Sequence, residues 1–236
     1  MPPSFRRVRI FFIASVIALP GTGAIAQQTI PDTITQRVAA CAACHDKEGR
    51  ATSEGFFPRI AGKPAGYLYS QLVNFRDGRR RYPQMTYMVN HLSDAYLLEI
   101  ANYFANLHLP YSPPQAVHAS TTQLARGQQL VMQGDAAKKV PACIACHGQK
   151  LTGVAPSTPG LLGLPRDYLN AQFGSWRNKT RNTVAPDCMA EITARLSPED
   201  IPALTAWLAA QAVPTESAAA ASLPGKRPMA CGSIAP

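Results

Sequence analysis

Two short motifs carry the chemistry of this chain. Cys41-Ala42-Ala43-Cys44-His45 and Cys143-Ile144-Ala145-Cys146-His147 each set two thiols three positions apart, with an imidazole directly after. Thiols at that spacing reach the two vinyl groups of one porphyrin as thioethers, and the adjacent His falls under the iron as proximal ligand. The pattern is the attachment signature of c-type haem. A lone copy has rivals, a zinc half-site or a thiol–disulfide redox pair. A zinc site needs further ligands at suitable spacing, and Cys188 and Cys231 are the remaining cysteines. A redox pair follows a strand in a βαβ pattern, which is absent here. Two copies therefore predict two covalent haems, bound through Cys41 and Cys44, and through Cys143 and Cys146.

The sixth iron ligand should lie downstream. Met85 follows His45 by 40 residues and Met189 follows His147 by 42. Each precedes by seven residues a Leu-Ser pair that opens a helix, Leu92-Ser93 and Leu196-Ser197. A thioether is a soft, neutral ligand that favours reduced iron and raises the potential. The matched register makes His45 with Met85, and His147 with Met189, the expected axial pairs. Met88, three residues on, is assigned to core packing.

The elements that must position these residues repeat along the chain. Pro58-Arg59-Ile60-Ala61-Gly62, Tyr67-Leu68, Gln71 and Phe75-Arg76 in the first half match Pro159-Gly160-Leu161-Leu162-Gly163, Tyr168-Leu169, Gln172 and Trp176-Arg177 in the second. The offset is 101 there, 102 at the Cys motifs and 104 at the Met residues. A tandem duplication of about a hundred residues explains it. Middle helices are expected over Tyr67–Arg76 and Tyr168–Arg177. Ser93 and Asp94 cap a helix with Leu97, Ile100, Phe104 and Leu107 on one face. Ser197-Pro198 begins another, bearing Ile201, Leu204, Trp207 and Leu208. Thr122–Gln133 reads as a helix leading to the second motif. No strand-like alternation appears, so the fold class is all-α.

Residues 1–26 read as a leader: Arg6, Arg7 and Arg9, then apolar Ile10–Leu19, then Ala24-Ile25-Ala26 as a cleavage site. Arg9 sits where a twin-arginine signal wants an apolar residue, so ordinary export with cleavage before Gln27 is expected. The apolar run is too short to span a bilayer. No other stretch is long enough, so a periplasmic chain without a membrane span is expected after cleavage. Removing those three arginines takes the net charge from +9 to about +6, which favours acidic partner faces. Export argues against nucleic acid as the partner. The expected divisions are a domain at 27–110, a Pro-stiffened linker at 111–120, a domain at 121–213 and a tail at 214–236.

Taken together, the paired motifs, the Met positions and the Tyr-Leu-x-x-Gln…Arg stretches resemble dihaem cytochromes of the c4 family, each half resembling a class I cytochrome c. The resemblance covers roughly residues 33–211. It implies two tandem cytochrome c domains, each wrapped around one covalent haem, related by an approximate twofold with the haems close across the interface. It also implies His/Met ligation and electron transfer without substrate chemistry. By position, Pro58 and Pro159 match the proline whose carbonyl accepts from the proximal His. Gly127 matches the glycine that lets the first helix approach an aromatic of the last, here Trp207.

The chain also departs from that pattern. Thr33–Ala40 is short and lacks such a glycine. Arg79-Arg80-Arg81 reads either as a solvated loop or as a docking face for an acidic partner. Cys188 and Cys231 are not required by it. In an oxidising compartment a disulfide between them is the economical reading. The sharper rival has Cys188 ligating the second iron, as in sulfur-oxidising haem enzymes; a peroxidase would need an openable sixth position. Within electron transfer, a shuttle toward a respiratory complex or terminal oxidase stands beside a dedicated partner of a periplasmic dehydrogenase. His91, His108 and His118 are expected at the surface.

Overall fold

Side-chain caps fix where several helices begin. The computed structural model describes residues 31–51 and 56–234; the expected leader lies outside the described residues. Helix α1 (Ile34–His45) starts where Thr33 Oγ1 accepts from Gln36 N at 3.3 Å. Helices α2 (Ala65–Arg76) and α3 (Pro83–Val89) follow, the latter with Pro at its first position. Helix α4 (Asp94–Ala105) is capped by Ser93 and helix α5 (Thr121–Met132) by Ser120. The second half continues through α6 (Ile144–His147), the strands β1 (Gly153–Val154) and β2 (Thr158–Pro159), α7 (Arg166–Arg177), α8 (Cys188–Arg195) and α9 (Asp200–Ala209). The two antiparallel strands make one small hairpin, so the all-α class stands.

Three helix starts differ from expectation by two residues or more. The middle helices begin two residues earlier than their Tyr-Leu pairs, at Ala65 and Arg166, each directly after a proline. The last helix begins at Asp200, not Ser197. Ser197 Oγ accepts from Asp200 N at 3.3 Å and Asp200 Oδ2 accepts from Ser197 N at 2.9 Å. This reciprocal box closes the Ser197–Glu199 turn before the helix proper.

Each half has its own core. In the first, α2 lies against α4 through Leu68, Phe75, Leu97, Ile100 and Phe104. In the second, α5 crosses α9 through Leu130, Val131, Leu204 and Leu208. The crossing is close because Gly127 has no side chain: a Cβ there would meet Ala203 O at 2.3 Å and Trp207 Cβ at 2.8 Å. Asp200 pins the same crossing, accepting from Arg126 Nε at 2.9 Å and Lys138 Nζ at 2.5 Å. Burial acts to raise the Asp200 pKa, but these cations and the Ser197 amide outweigh it and hold the carboxyl well below its usual range.

The stretch between the halves is held to each of them. Buried Arg59 donates to Pro110 O at 3.0 Å and stacks 4.0 Å over the Tyr111 ring. Gln115 N donates to Ala209 O at 3.1 Å. Among the described residues no helix is long and apolar enough to cross a membrane.

Candidate haem sites

In the first half α1 runs straight through the motif, so Cys41, Cys44 and His45 occupy its last two turns. In the second, α6 is one turn carrying Cys146 and His147, and Cys143 stands at its N-cap. Chain reversal follows each: Asp46 has φ 63° and Gly148 φ 85°. Both imidazoles are buried. His45 Nδ1 donates to Pro58 O at 2.8 Å and His147 Nδ1 donates to Pro159 O at 2.8 Å. A carbonyl only accepts, so Nδ1 carries the proton and Nε2 keeps its lone pair for a metal. Burial holds both imidazole pKa values down despite the carbonyl, keeping them neutral. The β1–β2 hairpin fixes the Pro159 carbonyl, with Gly153 opposite Pro159.

The four motif thiols are unpaired and half-buried. Burial, with Cys146 beside it, pushes Cys143 up to about 12, and burial also raises Cys41 and Cys146. Zinc binding and thiol–disulfide exchange both need a thiolate that forms readily. Cys41, Cys143 and Cys146 resist ionisation. Among the described residues no group of three or more His, Cys, Asp or Glu could hold a metal ion. The set is instead suited to a group that supplies its own metal and takes the sulfurs as thioethers.

A cavity of about 1190 Å³, counting its open mouth, adjoins the second motif. Cys146, His147, Pro159 and Met189 share its wall with apolar Leu161, Leu169, Phe173 and Trp176. Its lining, apolar with an imidazole and a thioether in the wall, fits a porphyrin. Met189 lies on α8, whose N-cap Asp187 accepts from Ala190 N and Thr183 N at 3.0 and 2.9 Å. In the first half Cys41 packs with Val38, Leu68 and Phe104, whereas Met85 on α3 packs with Phe75, Val89 and Leu97. Tyr69, Leu72 and Leu92 border both clusters. Met88 is 41% exposed, so its expected role in core packing is corrected: α3 turns it outward and Met85 inward. His91, His108 and His118 are exposed, as expected.

Cys188 is bonded to Cys231, with Cα atoms 5.1 Å apart. The bond ties the tail to the start of α8 and uses up the thiol that the ligation alternative required.

The halves meet through groups that the repeat relates. Arg80 donates to Gln71 Oε1 at 2.9 Å in its own half, and to Gln172 Oε1 at 2.7 Å and Tyr168 Oη at 3.3 Å in the other. Arg181 mirrors it, donating to Gln172 at 2.7 Å, Gln71 at 3.3 Å and Tyr67 at 3.4 Å. Between them runs a short antiparallel bridge: Arg81 N donates to Thr180 O at 2.7 Å and Asn182 N to Arg79 O at 2.8 Å. Arg80 stacks over Phe75 and Arg181 over Trp176, at 4.5 and 4.0 Å. Burial, helped by the Arg80 charge, pulls the Arg181 pKa down. This corrects the reading of Arg79-Arg80-Arg81 as a solvated loop or docking face. Arg80 faces inward and Arg79 pairs with Asp77 and Asn74, which leaves Arg81 outward. The sequence held a signal for it, since Arg80 and Arg181 also stand 101 apart. Lys63, from the first half, lines the second cavity, and burial pushes its pKa down to about 8.

No protein-family model matches the chain. It is similar to the thiosulfate dehydrogenase electron acceptor of Thiomonas intermedia (strain K12), 36% identical over 183 residues, 77% of this chain and 83% of the relative. Cytochrome c4 of Pseudomonas aeruginosa is 33% identical over 174 residues, 73% of this chain and 84% of the relative. Among solved structures, reduced recombinant cytochrome c4 from Pseudomonas stutzeri superposes with a TM-score of 0.64 at 29% identity, over 75% of this chain and 95% of that one.

Proposed function

We propose, for a chain that belongs to the dihaem cytochrome c4 family, that it accepts electrons from an oxidoreductase in the bacterial periplasm and passes them on one at a time. It is an electron carrier with two c-type haems. When bound, each haem supplies a one-electron iron couple.

Within this reading Cys41 and Cys44 hold one haem and Cys143 and Cys146 the other. His45 with Met85, and His147 with Met189, would ligate the two irons. The carbonyls of Pro58 and Pro159 orient the imidazoles, which limits reorganisation when the charge changes. Domains at 27–110 and 121–213 carry one site each, and the Arg80–Arg181 contacts hold them in register. The electron-transfer role, without catalysis at the iron, is supported by the Cys188–Cys231 bond, which leaves no free thiolate beside Met189.

The choice of a dedicated dehydrogenase partner rests on one observation. Relatives named thiosulfate dehydrogenase electron acceptor match at 36% and 34% identity, beside cytochrome c4 at 33%. The test is stopped-flow reduction of the oxidised protein by a thiosulfate dehydrogenase with its substrate. Reduction of both haems within the enzyme's turnover time is expected. Reduction no faster than by substrate alone would overturn the partner assignment, and appreciable thiosulfate or peroxide turnover by this chain alone would overturn the carrier role.

A further inference from the structure

The tail breaks the symmetry of the repeat. After α4 the chain runs on into the linker, but after α9 it returns over the second haem site. Ala155 N donates to Ala220 O at 2.8 Å and Ala220 N to Gly153 O at 2.9 Å, so the tail joins the edge of β1. Further on, Gly232 N donates to Pro186 O at 2.9 Å. A Cβ on Gly232 would meet Ala185 O at 2.2 Å, so the tail lies flush against the loop before α8. The Cys188–Cys231 bond latches that end.

Between these fixings Arg227 and Met229 line the cavity that holds Cys146, His147 and Met189. Arg227 Nη1 is buried without a hydrogen-bond partner. An enclosed, unpaired donor on a charged group is costly and signals a missing partner. A haem held here would bring carboxylate side chains and an iron whose oxidation adds positive charge.

We propose that the tail is a latched strap over the second haem and that Arg227 is its positioning cation, raising the reduction potential of that haem. A fixed positive charge in a low-dielectric pocket opposes the gain of charge on oxidation. The disulfide matters because, among the described residues, the tail has no helix of its own to hold the guanidinium in place.

The proposal rests on the second haem being seated at Cys143, Cys146 and His147. The test is a spectroelectrochemical titration of the holoprotein, with the two haems told apart by their haem-methyl NMR signals. Arg227→Gln should lower the midpoint of the second haem by about threefold or more in its one-electron equilibrium constant, ~30 mV, and leave the first in place. Arg227→Lys should recover most of the shift, and Cys231→Ser should move the same midpoint in the same direction. Unchanged midpoints in Arg227→Gln, or a Lys variant no better than Gln, would overturn the proposal. Haem content is measured in parallel. Wild-type protein with one covalent haem per chain would instead overturn the functional reading on which the strap depends.

Discussion

Adding one methyl group to each of two helical glycines should move stability in opposite directions. In α5 an ideal Cβ on Gly127 stands 2.3 Å from Ala203 O and 2.8 Å from both Ala203 C and Trp207 Cβ. Carbon–oxygen contacts settle near ~3.3 Å, so the crossing must open by roughly 1 Å. No obstacle is the tip of a flexible side chain, so neither helix yields by rotamer change. Overpacking of this kind costs about 1–3 kcal/mol. Replacing an interior helical glycine by alanine returns about 1 kcal/mol. With contacts this short the upper end of the cost applies, and Gly127→Ala should lose about 2 kcal/mol net. Gly174, in the middle of α7, has nothing within 4 Å of its would-be Cβ. Gly174→Ala should therefore gain the propensity term alone, about 1 kcal/mol. For a protein of this size the two correspond to a Tm lowered by ~4–8 °C and one raised by ~2–4 °C. Thermal melts of the oxidised holoprotein, followed by far-ultraviolet circular dichroism at one scan rate, read both. A Gly127→Ala protein as stable as the parent, or a Gly174→Ala protein less stable, would refute the reasoning.

Other outcomes follow from the same geometry. Met85→Ala and Met189→Ala should each abolish the iron–thioether charge-transfer absorbance of one haem and leave the other's; a variant that keeps both contributions would remove that Met from the ligand set. Arg181→Gln deletes hydrogen bonds to Tyr67 and Gln71 across the halves and the stacking on Trp176, about 2–3 kcal/mol together. Denaturant unfolding followed at both haems should then separate into two transitions, and a single unshifted transition would count against the interface. The Asp200 pKa is depressed in the folded chain, so its contribution is full above the ordinary carboxylate range and fades as the pH falls through the folded value. Asp200→Asn should thus be less stable at neutral pH and should lose less on acidification; parallel pH–stability curves for the two proteins would contradict this.

The haem motifs were legible from sequence because covalent attachment demands fixed residue types at fixed local spacing. One helical turn presents Cys-x-x-Cys-His whatever surrounds it. The helices were legible for a related reason: caps such as Ser93 and Ser120, and apolar faces such as Leu97–Ile100–Phe104, act over a few residues. Duplication made the pattern visible twice.

What the sequence left open concerns groups that meet across long separations. Arg80 looked like one charge in a basic run. Its inward course appears only when the second half supplies Gln172 and Tyr168 as acceptors and the bridge to Arg181 fixes its backbone. Met85 and Met88 are three residues apart; the repeat register singled out Met85, but only the roll of α3 against Phe75 and Leu97 shows that Met88 turns outward. The tail is rich in Ala, Ser and Pro, yet pairing Cys231 with Cys188 and Ala220 with the β1 edge carries Arg227 to the cavity lined by Cys146 and His147. Local chemistry is written in neighbouring residues. Which charges become buried, and against what, depends on how distant surfaces close together, and that was settled by the fold.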